Sequence, residues 1–456
     1  MMNTQDRVYT IETRVLRSNM GYFKEFSPLY AGLCRRIWQD LKHNINCNSK
    51  YVTGLCHKYG FMKRTVNSAL RQMKGRMLAL KALQKVQIKD KENKVVTFEN
   101  KIEQIKAQIN RLKVEVEKHP NDKQLVMWYN NKKKKLYSWQ VKKDKLINQI
   151  NNYYNGINTL DICFGSKAFF KKQYNLEFNG YKTHEKWYNE FCKQRDKQVY
   201  YIGTSEETCG NQMCQLTYLR NKDRFTLKVR KEYQFCQSNK RNDKDNYVYL
   251  DINFKHRKDF LLFALENHVP LSYTFNCKNG KWYISVSFVL AHKVVTDNSN
   301  GCVGLDFNNG FIALTETDKY GNIVNIGNIY FKNRGTSNKA KSEMSEIVSK
   351  LVRYTKNRGK ALCIEDLNFS KKKSTCIRKG KKRYNEMLHT LDYSRYKKFC
   401  SDYSITYGVM LILVNPAYTS KIGKQKYAYR KKLTVHNAAA YVIARRGQGY
   451  NDEYIV

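Results

Sequence analysis

The sequence is short of acidic residues. It has 39 aspartates and glutamates against 84 lysines and arginines, a formal net charge of +45 over 456 residues. One basic run is usually a solvated surface, but that interpretation does not cover an excess spread along the whole chain. A field of this sign attracts polyanions, because each neutralised phosphate releases condensed counterions. The 34 tyrosines and 21 phenylalanines more commonly pack than stack on bases, yet many stand beside basic residues. The composition predicts a nucleic-acid partner.

Long apolar runs and ordered cysteine patterns are also missing. No segment approaches the ~20 apolar residues of a membrane span, and the opening MMNTQDRVYT does not resemble a signal peptide. The 13 cysteines are irregularly spaced, and the closest pair, Cys209 and Cys214, has no matching second pair. This argues against a zinc site there. We therefore expect reduced thiols in a cytoplasmic protein with no membrane partner.

Helical spacing dominates residues 20–195, where apolar residues recur at intervals of three and four. One helix is expected over 63–85. Two more, over 98–119 and 123–154, would form an antiparallel hairpin, because Pro120 separates them. Such a hairpin could be a spacer or an oligomer zipper. The lysine density of its second arm favours a grip on nucleic-acid backbone.

Short strands replace the helices over residues 196–300, and charged turns separate them, which is typical of a small barrel. Beyond residue 300, strands and helices alternate. Two apolar strands there end in acids, Asp306 in CVGLDFNNG and Glu365 in ALCIEDL. This order predicts an α/β core with both acids at one edge of its sheet.

Taken singly, Asp306 could cap a turn and Glu365 could be a surface charge at a strand end. Two hard oxygen ligands that converge at a sheet edge are, however, what Mg²⁺ prefers. A pair of such ions can clamp the attacking and leaving oxygens of a phosphodiester. In a strongly basic chain, the two acids favour a metal-dependent nuclease.

The segments around these acids resemble known motifs. GLDFNNGFIALTETD and CIEDLNFS resemble the first and second RuvC motifs of the OrfB/TnpB transposon-encoded nucleases, relatives of the type V CRISPR effectors. VNPAYTSKIG and HNAAAYVIARR resemble the segment that holds the third motif. Two features depart from the family. The stretch 418–426 lacks the cysteines that bind zinc in many relatives, and His436 stands where relatives have an acid.

The resemblance implies an α+β multidomain protein. Its expected parts are a first wedge strand (1–19), a helical recognition lobe (20–195), a wedge β-barrel (196–300), a split RNase H-like (RuvC) nuclease domain (301–370 and 404–456), an insert with a helix (371–403), and a degenerate zinc-finger-like segment (416–432).

The implied activity is RNA-guided cutting of double-stranded DNA beside a short adjacent motif, with a guide RNA and the target DNA as partners. Asp306, Glu365 and His436 would be the catalytic metal ligands for Mg²⁺ or Mn²⁺, with no zinc. We expect the helix N-terminus to keep the His436 imidazole neutral. A helix-capping histidine without metal contact is the alternative. For the whole chain, the alternatives are a nuclease-dead RNA-guided repressor and an RNA-independent structure-specific nuclease or transposase accessory protein.

Other basic and amide side chains are candidates for direct contact with nucleic acid. Asn67, Arg71 and Lys74 share a face of the helix expected over 63–85, and asparagine and arginine can read adenine and guanine edges in the major groove. Plain phosphate contacts are an equal alternative. The candidates near the C-terminus are Lys421, Lys424, Lys426 and Arg445.

Overall fold

The computed structural model describes residues 4–15, 20–155, 162–207, 210–236, 243–331, 337–367 and 393–454. The predicted mixture of helices and sheets is confirmed, and the chain divides into two compact units. One unit comprises Val8–Ile88 and Gln149–Leu290; the other comprises Met1–Arg7, Lys89–Asn148 and Ala291–Val456. Cys209 and most of the insert expected at 371–403 lie outside the described residues. Within the described ranges, each helix is either too short or too polar to span a lipid bilayer.

The N-terminal half is mainly helical after its first strand. Its elements are β1 (Thr4–Arg14), α1 (Gly21–Lys42), α2 (Ser49–Tyr59), α3 (Lys63–Lys118), α4 (Lys123–Tyr154), α5 (Lys167–Lys171) and α6 (His184–Arg195). The helices expected over 63–85 and 98–119 form a single helix of 56 residues, α3. The intervening residues 86–97 contain neither proline nor glycine, so nothing interrupts the backbone hydrogen bonds.

Residues 98–118 of α3 form the predicted hairpin with the helix α4. Pro120 lies between them, and the Asp122 carboxylate accepts hydrogen bonds from the backbone N–H groups of Gln124 and Leu125. Such a cap satisfies donors that the first turn of a helix leaves without partners. The two helices of the hairpin contact each other through the rings of Phe98 and Trp139, which meet edge to face with their centres 5.0 Å apart.

The strands after α6 form two sheets. They are β2 (Gln198–Tyr201), β3 (Cys214–Leu219), β4 (Arg224–Arg230), β5 (Tyr247–Ile252), β6 (Ser272–Lys278) and β7 (Lys281–Lys293), with α7 (Lys258–Glu266) after β5. One sheet has the order β1-β7-β6-β2 and the other β3-β4-β5. No hydrogen-bonded ladder joins them in the described part of the chain, so the strands do not close into the predicted barrel. Phe225 and Phe275 instead bring both sheets into one core with Phe23 of α1.

The C-terminal part contains a mixed five-stranded sheet. Its strands are β8 (Asp297–Asn308), β9 (Phe311–Thr317), β10 (Ile323–Tyr330), β11 (Lys360–Glu365) and β12 (Leu411–Val414). Its helices are α8 (Ser337–Asn357), α9 (Tyr393–Tyr407), α10 (Thr419–Ile422), which continues into a π-helical turn (Gly423–Ala428), and α11 (Val435–Gly447). The order is β10-β9-β8-β11-β12, antiparallel from β10 to β8 and parallel from β8 to β12.

Both faces of this sheet are covered by helices. Leu305 and Ile364 belong to a buried cluster with side chains of α8 and α9, including Val348. Cys302 and Cys363 lie in a second cluster with residues of α11. Successive residues of a strand point to opposite faces, so the apolar runs of β8 and β11 supply both clusters.

Helix α11 lies unusually close to β8 at Gly304. A Cβ atom on this glycine would lie 2.1 Å from the carbonyl oxygen of Ala440 and 2.6 Å from the backbone nitrogen of Ala444. Both are backbone atoms, which cannot rotate away as a side chain could. The absence of a side chain at Gly304 therefore sets the distance between α11 and the sheet.

We predict that Gly304→Ala destabilises this unit by about 1–3 kcal/mol, the range for overpacking a close-packed interior. Thermal unfolding followed by circular dichroism measures the effect. Gly327→Ala is the matched control, because Gly327 lies in the same sheet and an added Cβ would meet nothing within 4 Å. Equal unfolding midpoints for the two variants would contradict the close approach.

Candidate active site at the end of the mixed sheet

The pairing of β8 with β11 brings the two predicted acids side by side. The strands run parallel with Ile364 opposite Leu305, so the next positions along them are Asp306 and Glu365. Neighbouring positions of parallel strands share a face. Leu305 and Ile364 face α8 and α9, so both acids lie on the face that carries α11.

Asp306 contacts His436 across 130 residues of sequence. Nδ1 of His436 lies 3.2 Å from Oδ2 of Asp306, a hydrogen bond in which the protonated ring nitrogen donates. The same oxygen accepts from Nδ2 of Asn308 at 3.0 Å. The Asp306 side chain is 11% exposed and that of His436 is 49% exposed, so the pair lies at the surface edge of the core.

Helix α11 positions His436 in its first turn. The hydroxyl of Thr434 caps the helix by accepting from the backbone N–H of Asn437. Oγ1 of Thr315 in β9 donates to the carbonyl oxygen of Asn437 at 2.9 Å, and Nδ2 of Asn437 donates to the carbonyl oxygen of Gly327 in β10. These buried polar contacts attach the start of α11 to the sheet beside Asp306.

The protonation of His436 differs from the expectation for a helix N-terminus. The hydrogen bond to Asp306 raises the pKa of His436 above its ordinary value, and partial burial of the ring opposes this shift. Contact with a carboxylate at hydrogen-bond distance outweighs the partial charges of a helix end. This contact opposes the expected bias toward the neutral imidazole, because the sequence placed His436 and Asp306 on one cation and did not indicate a direct hydrogen bond between them.

Glu365 is held by a residue that the sequence analysis missed. The hydroxyl of Thr419 donates to Oε1 of Glu365, and the Thr419 residue is only 3% exposed. Thr419 begins α10, and the parallel pairing of Glu365 with Val414 of β12 brings this segment to the site. The one signal in the sequence was the position of Thr419 shortly after an apolar strand.

The carboxylate oxygens of Asp306 and Glu365 suit a hard divalent cation, and a neutral His436 would add an imidazole nitrogen, which suits Mn²⁺ better than Mg²⁺. Within the described residues, however, no three His, Cys, Asp or Glu side chains are close enough to hold a metal ion together. Asp306 is hydrogen-bonded to His436, and Glu365 to Thr419. The structure brings the predicted ligands to one edge without assembling them into a complete set.

The other candidate residues lie in different settings. In α3, Arg71 and Lys74 are exposed and Asn67 is half-buried. Lys421 and Lys424 are exposed after β12, with Lys426 half-buried. Their contacts with nucleic acid stay predictions.

Arg445 has partners within the protein. Its Nε donates to Oδ2 of Asp452 at 2.9 Å, and its guanidinium lies 4.2 Å from the ring centre of Tyr450. The Arg445 side chain is 18% exposed. Its charge is therefore compensated by Asp452, which lies beyond the end of α11.

Comparison with other proteins finds no matching family model and no matching curated protein. The chain is similar to one in a cryo-EM structure of a Cas12f1–sgRNA–target DNA complex, with 9% identity and a TM-score of 0.38 over 96% of this chain and 99% of that one. It is also similar to T. thermophilus RuvC in complex with a Holliday junction substrate, with 13% identity and a TM-score of 0.24 over 31% of this chain and 88% of that one. Similarity at this level does not assign the chain to a family.

We predict that His436 titrates above the ordinary histidine pKa in metal-free protein and that Asp306→Asn lowers this value. The charged ring is favoured in the folded state, so its contribution to stability is complete below the ordinary pKa of about 6.5 and disappears as the pH rises through the raised value. NMR of the imidazole Cε1–H measures the titration. Glu346→Gln is the charge-matched control, because Glu346 pairs with Lys350 on an exposed face of α8. An unchanged His436 pKa in Asp306→Asn would contradict the prediction.

Proposed function

We propose that this protein is an RNA-guided, metal-dependent DNA endonuclease of the OrfB/TnpB kind, which cuts double-stranded DNA beside a short adjacent motif. One observation carries the proposal. Asp306 and Glu365 occupy adjacent positions in the C-terminal parts of two parallel strands, on the face where α11 places His436 next to Asp306. Their sequence segments resemble the RuvC motifs in the same order.

The chemistry divides between a bound ion and the protein. A divalent cation, Mg²⁺ or Mn²⁺, would supply Lewis-acid activation of water and charge neutralisation at the phosphodiester. Asp306 and Glu365 would hold it, with Thr419 orienting the Glu365 carboxylate. In the observed arrangement Nδ1 of His436 donates to Asp306. Nδ1 could ligate a cation only after that proton leaves, whereas Nε2 of the neutral ring could ligate while Nδ1 keeps it.

The basic surface supports nucleic-acid partners. Exposed lysines line α4, namely Lys133, Lys134, Lys135, Lys142 and Lys145. Positive charge at this density favours contact with nucleic-acid phosphates. In a guided enzyme, base pairing reads the target sequence, and the protein reads backbone shape and the adjacent motif. A chain with a net charge of +45 suits a protein that holds both a guide RNA and DNA.

We extend the proposal to the parts of the chain. Residues 20–195 would be the recognition lobe, and the sheets of 196–300 with β1 would be the wedge. Residues 301–370 and 404–456 would form the nuclease domain. Within 416–432, Lys421, Lys424 and Lys426 would guide a DNA strand toward the acids by charge.

A second candidate function is a guided repressor that binds DNA without cutting. It is favoured by the hydrogen bonds that engage Asp306 and Glu365, and by the finding that no three His, Cys, Asp or Glu side chains among the described residues are placed to hold a metal ion together. The two acids argue for cleavage, since a protein that only binds has no use for them. A cleavage assay separates the two functions.

We predict that Asp306→Ala and Glu365→Ala abolish plasmid cleavage in Mg²⁺ and leave guided DNA binding in a mobility-shift assay nearly intact. The acids would contact metal and not nucleic acid. His436→Ala should lower cleavage by roughly tenfold or more, the usual effect of removing a partner of a metal ligand. His436→Asp should retain substantial activity and shift the preference from Mn²⁺ toward Mg²⁺.

The assay uses the full chain, expressed with candidate guide-encoding DNA and purified with its bound RNA, which is then sequenced. Glu346→Gln controls for a lost surface charge. Cleavage by Asp306→Ala at a rate near that of the wild type would show that the acids are not part of the active site. Guided binding without cutting by the wild type would establish the repressor, and junction cleavage by RNA-free protein would establish an unguided nuclease.

We also predict that Asn67→Ala and Arg71→Ala change which adjacent motif is tolerated. A bidentate contact to a base edge contributes about 1–3 kcal/mol of discrimination. Binding to a library with a randomised motif measures the preference. Lys74→Gln, on the same face of α3, is the control, because loss of a phosphate contact should weaken all sequences equally. An equal loss of affinity for every motif in all three variants would show that this face of α3 contacts phosphates alone.

A further inference from the structure

Two tyrosine rings stack on each other next to the candidate active site. The ring centres of Tyr418 and Tyr454 lie 5.2 Å apart, with an angle of 6° between the planes. Nζ of Lys421 lies 5.4 Å from the centre of the first ring and 5.2 Å from that of the second. Tyr418 is 56% exposed and Tyr454 is half-buried. The pair is an open aromatic surface with a cation beside it.

The position of this surface is set by a buried neighbour. Tyr418 directly precedes Thr419, whose hydroxyl donates to Glu365. The carbonyl oxygen of Tyr418 accepts from the backbone N–H of Ile422, and Ile422 is buried. The surface is thus one residue from a side chain that holds Glu365, on a segment attached to the core.

The backbone of Tyr418 is strained. Its φ of +60° and ψ of +10° lie in the left-handed region, which glycine and asparagine adopt far more readily than a bulky residue. A tyrosine here also leaves its large ring mostly in solvent. Neither backbone preference nor burial accounts for this residue, and strained positions of this kind cluster at functional sites.

We propose that Tyr418, Tyr454 and Lys421 form a stacking platform for an unpaired base of single-stranded DNA beside Glu365. The assignment of DNA as the ligand rests on the proposed nuclease function. The exposed part of the Tyr418 ring offers a surface on which a base can stack whatever its identity. Lys421 would pair with a neighbouring phosphate. Exposed lysines of the same segment, Lys424, Lys431 and Lys432, favour a polyanion over an uncharged partner.

The test is binding of an oligothymidine that carries one 2-aminopurine, in chelator so that no cleavage takes place. Stacking on the platform should quench the 2-aminopurine fluorescence. Tyr418→Ala should bind roughly 5- to 150-fold more weakly and lose the quenching, whereas Tyr418→Phe should keep both, because phenylalanine also stacks. Tyr429→Ala is the matched control from the same segment, with a side chain that is 94% exposed.

Lys421→Gln gives an independent measurement. Loss of one phosphate contact should reduce the slope of log affinity against log salt by about 0.7 for a single strand. Thermal unfolding of each variant shows whether it is folded, and Tyr454→Ala replaces Tyr418→Ala if that variant is not.

Quenching and affinity of Tyr418→Ala equal to those of the wild type would overturn the platform, even if the wild type cuts DNA. An equal loss in Tyr429→Ala would also overturn it, because any exposed tyrosine would then suffice. If the quenching depends on Tyr418 but the wild type never cuts DNA, the result would support the platform and contradict the proposed nuclease function. The two proposals therefore fail separately.

Discussion

The parallel pairing of β8 with β11 is the interaction on which the candidate site depends. With Ile364 opposite Leu305, every second residue of both strands enters the core under α8 and α9, and the alternate residues face α11. A slip of one residue would turn the whole set of side chains of the moved strand to the other face. Since both faces of these strands are apolar, the register that places Asp306 beside Glu365 depends on the fit of particular residues, such as Gly304 against α11.

Helix α11 depends on the same strand. It can approach β8 closely because Gly304 has no side chain, and its first turn is attached to β9 and β10 through Asn437. Its position brings the His436 ring to Asp306, and this contact raises the pKa of His436. The close packing of α11 at Gly304 thus contributes to the raised pKa of His436, because it helps to fix the position of the helix that carries this residue. Under the proposed function, a cation and His436 would compete for Asp306.

Acids are scarce in this chain, and the buried ones have defined partners. Glu316 is 1% exposed, and its Oε1 accepts from Nζ of Lys360 at 2.6 Å. Burial would raise the pKa of Glu316, but the bonds from Lys360 and Tyr354 outweigh it and lower the pKa. Glu316 lies in the same motif-like segment as Asp306, but it is opposite Val303, on the face that packs against α8, whereas Asp306 lies on the face that carries α11. An acid in a strand is therefore not by itself a site.

Local pattern predicted most of the helices and strands and the electrostatic character, because such signals reside in a few consecutive residues. It predicted the hairpin and the strands that carry Asp306 and Glu365, but it divided the single helix α3 into two helices. Tertiary structure alone decided that two sheets form in place of a barrel and that Thr419 holds Glu365. It also decided that Asp306 is hydrogen-bonded directly to His436 and that Arg445 is paired with Asp452. Asp306 and His436 are separated by 130 residues. Closing a barrel likewise requires hydrogen bonds between strands that are far apart in sequence. Neither kind of contact can be predicted from a short stretch of sequence, because each depends on how the intervening chain folds.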